Sequence, residues 1–327
     1  MSLEGWQRSE SPFHAGERAI QEKLGGRDRI ERQGRRMIRE FLPEQHQAFY
    51  RQLSYLLVGT VDEAARPWAS ILVGAPGFIT APSDRHLLIT ASPLYGDPLA
   101  TTLTVGRDVG LLGIELHTRR RNRLNGVIRR VDETGLEVQV GQAFGNCPQY
   151  IQARQFNWQS FDATAPRPVQ PLTQFGADEQ AAIAKADTFF ITTAYLEPEA
   201  GAAKGVDVSH RGGKPGFVRI DDAQTLTIPD FSGNFHFNTL GNLAVHPRAG
   251  LLFIDFETGD LLYLTGSTTV IWDDAPEVAA YEGAERLLRF HLTHGIRVAG
   301  SLPRSWSAPE FSPFLQATGD WQPPDAQ

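Results

Sequence analysis

The sequence predicts a mainly β, α+β chain in which one small antiparallel barrel occurs twice. Three observations carry the prediction. The chain has 327 residues, 41% hydrophobic and 21% charged, the balance of a globular protein long enough for two cores. Its apolar runs are short and punctuated by 31 glycines and 21 prolines, as strands joined by turns should be. The pattern also returns on itself. Ser70 stands six residues before Pro76-Gly77-Phe78, and Ser209 stands six before Pro215-Gly216-Phe217, an offset of 139. Gly110-Leu111-Leu112 recurs as Gly250-Leu251-Leu252 and Gly126 as Gly266, an offset of 140. Strand and turn markers at a near-constant spacing mean two copies of one fold.

Taken in order, residues 1–14 read as a loose arm with Phe13 and His14 as anchors, opening an N-terminal helical arm over residues 1–40. Helix formers run from Ala15 to Phe41, broken at Gly25-Gly26 and stopped by Pro43. A further helix occupies Pro43 to Leu53, since proline costs little at an early helical position. Tyr55–Val61 is a buried strand by its apolar run and Trp68–Val73 the next; Pro76-Gly77 turns the chain, Phe78 opens another strand and His86–Thr90 follows. The first barrel spans 41–155, and a linker marked by Pro166, Pro168 and Pro171 spans 156–174. The second barrel spans 175–306 and a Pro-rich tail 307–327. Within the second barrel, Glu179-Gln180 echoes Glu44-Gln45 ahead of the strand Phe189–Thr193, Glu277–Gly283 reads as a short helix, and Leu287–Val298 as a strand.

A formal net charge of −7 argues against a general nucleic-acid binder. Arg119, Arg120, Arg121 and Arg123 form one basic cluster; the Arg27–Arg39 region is interleaved with acids and reads as a solvated helix face. The single cysteine, Cys147, allows no internal disulfide and reads as a small buried hydrophobe. No apolar run reaches the length of a membrane span and no leader is evident, so a cytoplasmic, membrane-free protein is expected.

Chemistry concentrates between Asp207 and Asp260. Ser209 and Arg211 bring a hydroxyl and a forked cation, a pairing suited to phosphate. Gly212 and Gly213 let a backbone approach a ligand closely. Asn234, Asn238, Thr239 and Asn242 offer neutral donors and acceptors over two turns of a short helix, whose start is a natural anion seat. Any one of these asparagines is better explained as a cap or turn residue; the combination favours a phosphate-bearing cofactor. The rival constellations fail. Ser209 and His210, adjacent on a strand, point to opposite faces and make no nucleophile dyad. No Gly-x-Ser-x-Gly elbow or His-Glu-x-x-His is present, and Gly213-Lys-Pro-Gly216 lacks the ending of a phosphate loop. His291 and His294 read as surface histidines on a strand.

Phe144-Gly-Asn-Cys-Pro-Gln-Tyr-Ile-Gln152, Asp207-Val-Ser-His-Arg-Gly-Gly213, Pro215-Gly-Phe-Val-Arg219 and the stretch from Gly233-Asn234 to Asn242-Leu243 resemble the pyridoxamine 5′-phosphate oxidase-like, FMN-binding split-barrel family, in its tandem form. The resemblance covers roughly residues 40–306. It implies two fused FMN-binding split barrels of antiparallel strands with flanking helices, and FMN at the junction between them. Carried over, the phosphate contacts fall to Ser209, Arg211 and Gly212, then to Asn234, Asn238, Thr239 and Asn242. Family oxidases have an Arg-Lys pair where this chain has Asn238-Thr239, which leaves Arg211 as the main cation. The first copy departs further, with Leu72 opposite Arg211 and Pro98, Leu99 and Thr102 opposite the asparagines. It is expected to supply the surface facing the flavin ring, through Arg123, Asn125 and the Cys147–Tyr150 turn with Gln149 and Tyr150.

The resemblance implies an FMN-dependent oxidoreductase acting on a small molecule, with NAD(P)H or a redox partner protein as electron source. The alternative is a non-catalytic flavin-binding or electron-delivery module, favoured by the lack of an evident acid or base. Haem binding is the weaker reading, because no His or Cys sits in a matched position. The fused barrels already supply the interface that single-barrel relatives gain by dimerising, so monomer and homodimer are both expected states.

Overall fold

The computed structural model describes residues 5–322. Two helices form the N-terminal arm, α1 (Ala15–Lys23) and α2 (Arg27–Met37). His14 caps α1 by accepting from the Gly16 N–H, and Glu17 reaches back to the His14 N–H. The helix α3 (Glu44–Gln52) then leads into β1 (Tyr55–Val61), β2 (Pro67–Val73), β3 (Ile79–Ser83) and β4 (His86–Ile89). A one-turn helix, α4 (Leu99–Thr102), precedes β5 (Asp108–Glu115), β6 (Arg120–Asp132) and β7 (Gly135–Gly145). The connection carries β8 (Val169–Leu172), and α5 (Ala177–Lys185) opens the second half with β9 (Thr188–Tyr195), β10 (Gly205–Gly212), β11 (Arg219–Ile220) and β12 (Thr225–Asp230). After α6 (Asn238–Val245) come β13 (Arg248–Ile254), β14 (Leu261–Ile271) and β15 (Arg286–Val298).

The expected class holds: the chain is mainly antiparallel β with a few flanking helices, arranged in two sheets. The spatial order is β2-β1-β5-β6-β7-β4-β3 in one and β10-β9-β13-β14-β15-β12-β11 in the other, the same order strand for strand. The registers agree as well. Val58 of β1 faces Ser70 on one side and Leu111 on the other; Ile191 of β9 faces Ser209 and Leu251. Ser70 therefore occupies the position of Ser209, and Leu72 that of Arg211. Arg123, opposite Leu112, corresponds to Tyr263, opposite Leu252.

Each sheet wraps its own core, the first around Phe49, Tyr50, Leu56, Leu111 and Leu124, the second around Phe189, Leu251, Phe253 and Phe290. A third core joins the halves, with Leu57, Trp68, Ile71 and Leu112 packed beside Phe190, Val208, Leu252 and Tyr263. Burying these faces against each other removes from water the apolar surface that one curved sheet would expose. Two corresponding glycines set the approach. A Cβ on Gly110 would lie 2.5 Å from the Val206 carbonyl oxygen, and one on Gly250 would lie 2.4 Å from that of Pro67. The contact is thus self-complementary, as across a two-fold axis.

Three expectations change. Residues 5–14 are anchored rather than loose: Trp6 and Phe13 pack with Ile30, Ile38 and Phe144 of β7, and the Trp6 N–H donates to the Arg35 carbonyl. The connection between the halves is not wholly extended linker, because β8 pairs with β15 and adds an eighth strand to the second sheet. The described part of the tail docks, with bridges from Glu310 to Ala153 and from Trp321 to Tyr281, next to the bridge from Trp306 to Phe156. Residues 1–4 of the arm and 323–327 of the tail lie outside the described residues. Among the described residues no helix is long and apolar enough to cross a membrane.

Candidate functional site: an arginine-lined cavity between the sheets

Along β10, Asp207, Ser209 and Arg211 alternate onto one face, as residues two apart on a strand must. Across the junction, β6 presents Arg121 and Arg123 at the same spacing. The third wall is the segment from Phe231 to Phe237, which carries the chain from β12 to the start of α6 at Asn238. Phe235 and Phe237 hold φ at 61° and 62°, a left-handed conformation that is costly for side chains with a Cβ. Tyr150, on the facing turn, holds φ at 62°. Three of the five non-glycine residues with positive φ among those described thus line one place, a distribution typical of ligand sites.

These elements enclose a cavity of about 100 Å³ lined by Arg121, Arg123, Asn146, Ser209, His210, Arg211, Asp230, Asn234, Asn238, Thr239 and Arg286. A second, of about 60 Å³, shares Arg121, His210, Arg211, Phe231 and Gly233 with it and adds Gln149, Tyr150, Gly212 and Ser232. Buried Arg123 is the hub. It pairs with Asp207 at 2.7 Å, donates to the Asn238 Oδ1 at 2.8 Å, and donates to the Ser209 hydroxyl. The Thr239 hydroxyl donates to Ser209 at 3.2 Å. Arg211 pairs through Nη1 with Asp230 at 2.5 Å, and Arg286 grips the other oxygen of that carboxylate at 3.0 Å.

Arg121 is different. Its Nε donates to the Cys147 carbonyl at 2.8 Å and its Nη1 reaches the His210 carbonyl at 3.5 Å, but among the described residues it has no carboxylate partner. Burial, helped by neighbouring Arg123 and Arg211, pushes its pKa down to about 9. Burial likewise holds His210 neutral, well below its usual value, and its Nε2 has no partner. The arm closes the back of the site. Glu17 accepts from the Asn238 amide, and burial pushes its carboxyl up to about 8 against the opposing pull of the His14 N–H and Asn238. A Cβ on Gly241 of α6 would lie 2.4 Å from Glu17 Cγ, so helix α1 can sit this deep only against a glycine.

The structure brings together nine of the eleven residues singled out in the sequence: Ser209, Arg211, Asn234, Asn238, Thr239 and Arg123 on the larger cavity, and Gly212, Gln149 and Tyr150 on the smaller, with Arg211 on both. Gly212 has a reason to be glycine, since a Cβ would lie 2.0 Å from the Tyr150 carbonyl oxygen. Asn242 and Asn125 fall outside. Asn242 donates to the Thr193 hydroxyl at 3.0 Å, facing β9 rather than the cavity. The Asn125 side chain lies against Gly205, 3.7 Å from where a Cβ there would be. Asn234 is in the loop before α6, not on the helix, and its amide donates to the Asn146 Oδ1 at 3.0 Å. Arg211 is not the sole cation; Arg121, Arg123 and Arg286 surround it. Sequence reading missed Arg121, His210, Asp230, Arg286 and Glu17. The pair Arg121 and Arg123, two apart in a strand, was the available signal; Arg286 and Glu17 come from remote elements and carried none.

A larger cavity of about 710 Å³ lies under α5, away from these arginines. Three of its cations are paired with carboxylates: Arg154 with Asp187 at 2.6 Å, Lys185 with Asp255 at 2.5 Å, Arg297 with Asp178 at 2.5 Å. Volume alone does not make it the site.

The two cavities suit part of FMN. A phosphoryl group brings negative charge and several acceptor oxygens. Arg211 and Arg286 share one carboxylate and leave a surplus positive charge, and Arg123, Ser209, Asn238 and Thr239, bonded to one another, are donors of the right kind around it. The orphaned Nε of Arg123 and Nδ2 of Asn146 are further buried donors without partners. The volume takes a phosphoryl group and not a tricyclic ring.

No protein-family model matches the chain, and no curated protein matches it. Among solved structures, HupZ of Group A Streptococcus is 13% identical over 36% of this chain and 89% of its own, with a TM-score of 0.29. A protein related to general stress protein 26, of the pyridoxinephosphate oxidase family, from Clostridium acetobutylicum, is 12% identical over 36% of this chain and 83% of its own, at 0.26. HutZ, the haem storage protein of Vibrio cholerae, is 13% identical over 37% of this chain and 92% of its own, at 0.25. Each likeness spans little more than a third of the chain.

Proposed function

We propose that the chain is an FMN-binding flavoprotein of tandem split-barrel type, exchanging electrons or hydride with a small molecule. One observation carries the reading: Arg123, Arg211, Ser209, Asn238 and Thr239, drawn from both halves of the chain, converge on one cavity at the start of α6. Guanidinium forks, hydroxyls and a helix start are what a phosphoryl group selects. In this reading Arg211 and Arg286, two cations sharing one carboxylate, supply charge to the phosphate. Arg123, Ser209, Thr239 and Asn238 orient it by exchanging bonds with one another for bonds to it, and Gly212 lets the Tyr150 backbone close over β10. Bound FMN would supply the redox chemistry at its ring. The chain's own residues bind, orient and exclude water. The His210 ring, packed on Phe190, is held neutral and cannot serve as an acid near pH 7. That favours, as second reading, a flavin carrier that passes electrons without proton transfer from the protein.

Purification decides between them. Turnover predicts a yellow sample, bleached by NADH or NADPH and recoloured by air. A yellow sample that no nicotinamide reduces selects the carrier. A sample that stays colourless when FMN is added sinks both.

A further inference from the structure

We infer that the smaller of the two cavities is a seat for the carboxylate of a small organic acid, with Arg121 as its cation. The neighbouring arginines are already committed to carboxylates of the chain: Arg123 to Asp207, Arg211 and Arg286 to Asp230. Arg121 is committed only to backbone carbonyls, through Nε and Nη1, so its Nη2 keeps its hydrogens free. Arg121 is half-buried, and its guanidinium, with no carboxylate partner among the described residues, is available to an anion in the cavity. A second observation points the same way. Arg211 lines the same cavity and spends only Nη1 on Asp230.

Shape and charge select the ligand. About 60 Å³ holds a planar carboxylate, and a single unpaired guanidinium matches one negative charge in a two-oxygen fork. The cavity adjoins the larger one through shared walls. Its role as a substrate anchor rests on the flavin reading: the redox partner of the flavin would then be a small carboxylic acid, held by its acid group beside the nucleotide. The seat itself does not depend on that reading.

Calorimetric titration of the full chain, with and without added FMN at constant ionic strength, uses acetate and its neutral counterpart acetamide. The expected result is one acetate bound per chain and no acetamide. Arg121→Gln should weaken acetate at least tenfold, and Arg121→Lys, which keeps the charge and loses the fork, should fall between. Equal affinity for acetate and acetamide, no acetate binding, or unchanged acetate affinity in Arg121→Lys and Arg121→Gln would overturn the inference. Because the wild-type comparison needs no variant, misfolding of Arg121→Gln leaves it decidable. Failure of FMN to bind while acetate still binds discards the flavin reading and keeps the seat.

Discussion

The two halves share strand order and register, yet their corresponding corners solve opposite problems. At the corner of the second sheet, Ser209 meets Arg123, Asn238 and Thr239, and a cavity remains. At the matching corner of the first sheet, Ser70 donates to Asp97 at 2.6 Å, the Leu99 N–H donates at 2.7 Å and the Tyr263 hydroxyl at 3.0 Å. Asp97 is thus an anion supplied by the chain, sitting just before α4 where the other corner leaves room before α6. Tyr263 stands at the position of Arg123 and Leu72 at that of Arg211, so the first corner has neither of these cations and holds a carboxylate of the chain instead. Burial pushes the Asp97 carboxyl up to about 6. The contrast teaches that corresponding corners can differ in whether a carboxylate of the chain fills them: one is filled by Asp97 and the other keeps a cavity.

The largest effect should come from the hub. Arg123→Met leaves buried Asp207 without its cation, and loss of about 3–5 kcal/mol in chemical denaturation is expected, together with loss of FMN binding. Retained stability would mean the Arg123–Asp207 pair is not buried as described.

Asp97→Ala tests the other corner. It strands the Ser70 and Tyr263 hydroxyls and the Leu99 N–H, for a loss of about 2–3 kcal/mol. Its pH dependence sharpens the comparison. An unfolded Asp titrates near 4, below the folded value of about 6, so the native state holds this proton more tightly. The stability it contributes is fully present below about pH 4, is lost as pH rises to about 6, and is level above. Glu17, pushed from 4.5 up to about 8, adds a larger loss that starts in the same range and continues to about pH 8, so the difference between wild type and Asp97→Asn isolates the first. A constant difference across pH 4–7 would contradict the assignment.

Gly212→Ala should cost about 1–3 kcal/mol and weaken FMN, because the new methyl meets the Tyr150 carbonyl. The corresponding residue of the first sheet, Val73, already carries a side chain there, so Val73→Ala should leave FMN affinity unchanged. The smallest effect on stability belongs to Arg211→Leu, which copies Leu72. Its side chain is 26% exposed and Asp230 keeps Arg286, so stability should change by less than about 1 kcal/mol. FMN affinity, measured by fluorescence quenching, should fall about tenfold.

Much of this contrast was legible in the residues. The 139–140 offset located matching strands before any coordinates, and the Ser209/Ser70 and Arg211/Leu72 pairs are matched in the registers. Local pattern carries that far because strand periodicity and turn glycines are short-range properties. Partnership is not. Asp230 had no visible link to Arg211, nor Asp97 to Tyr263, since those contacts join distant strands. The arm was least legible: Glu17 belongs to an ordinary helix start, and only packing of α1 on Gly241 takes it into the site. Asn242 and Asn125 share the composition of a ligand site and face elsewhere, which spacing alone could not tell.

The most direct test is a binding titration of the purified chain with FMN and with riboflavin, which has the same ring and no phosphate. The open corner predicts one FMN per chain and riboflavin at least tenfold weaker. Two FMN per chain, equal affinity for riboflavin, or no binding of either would contradict it.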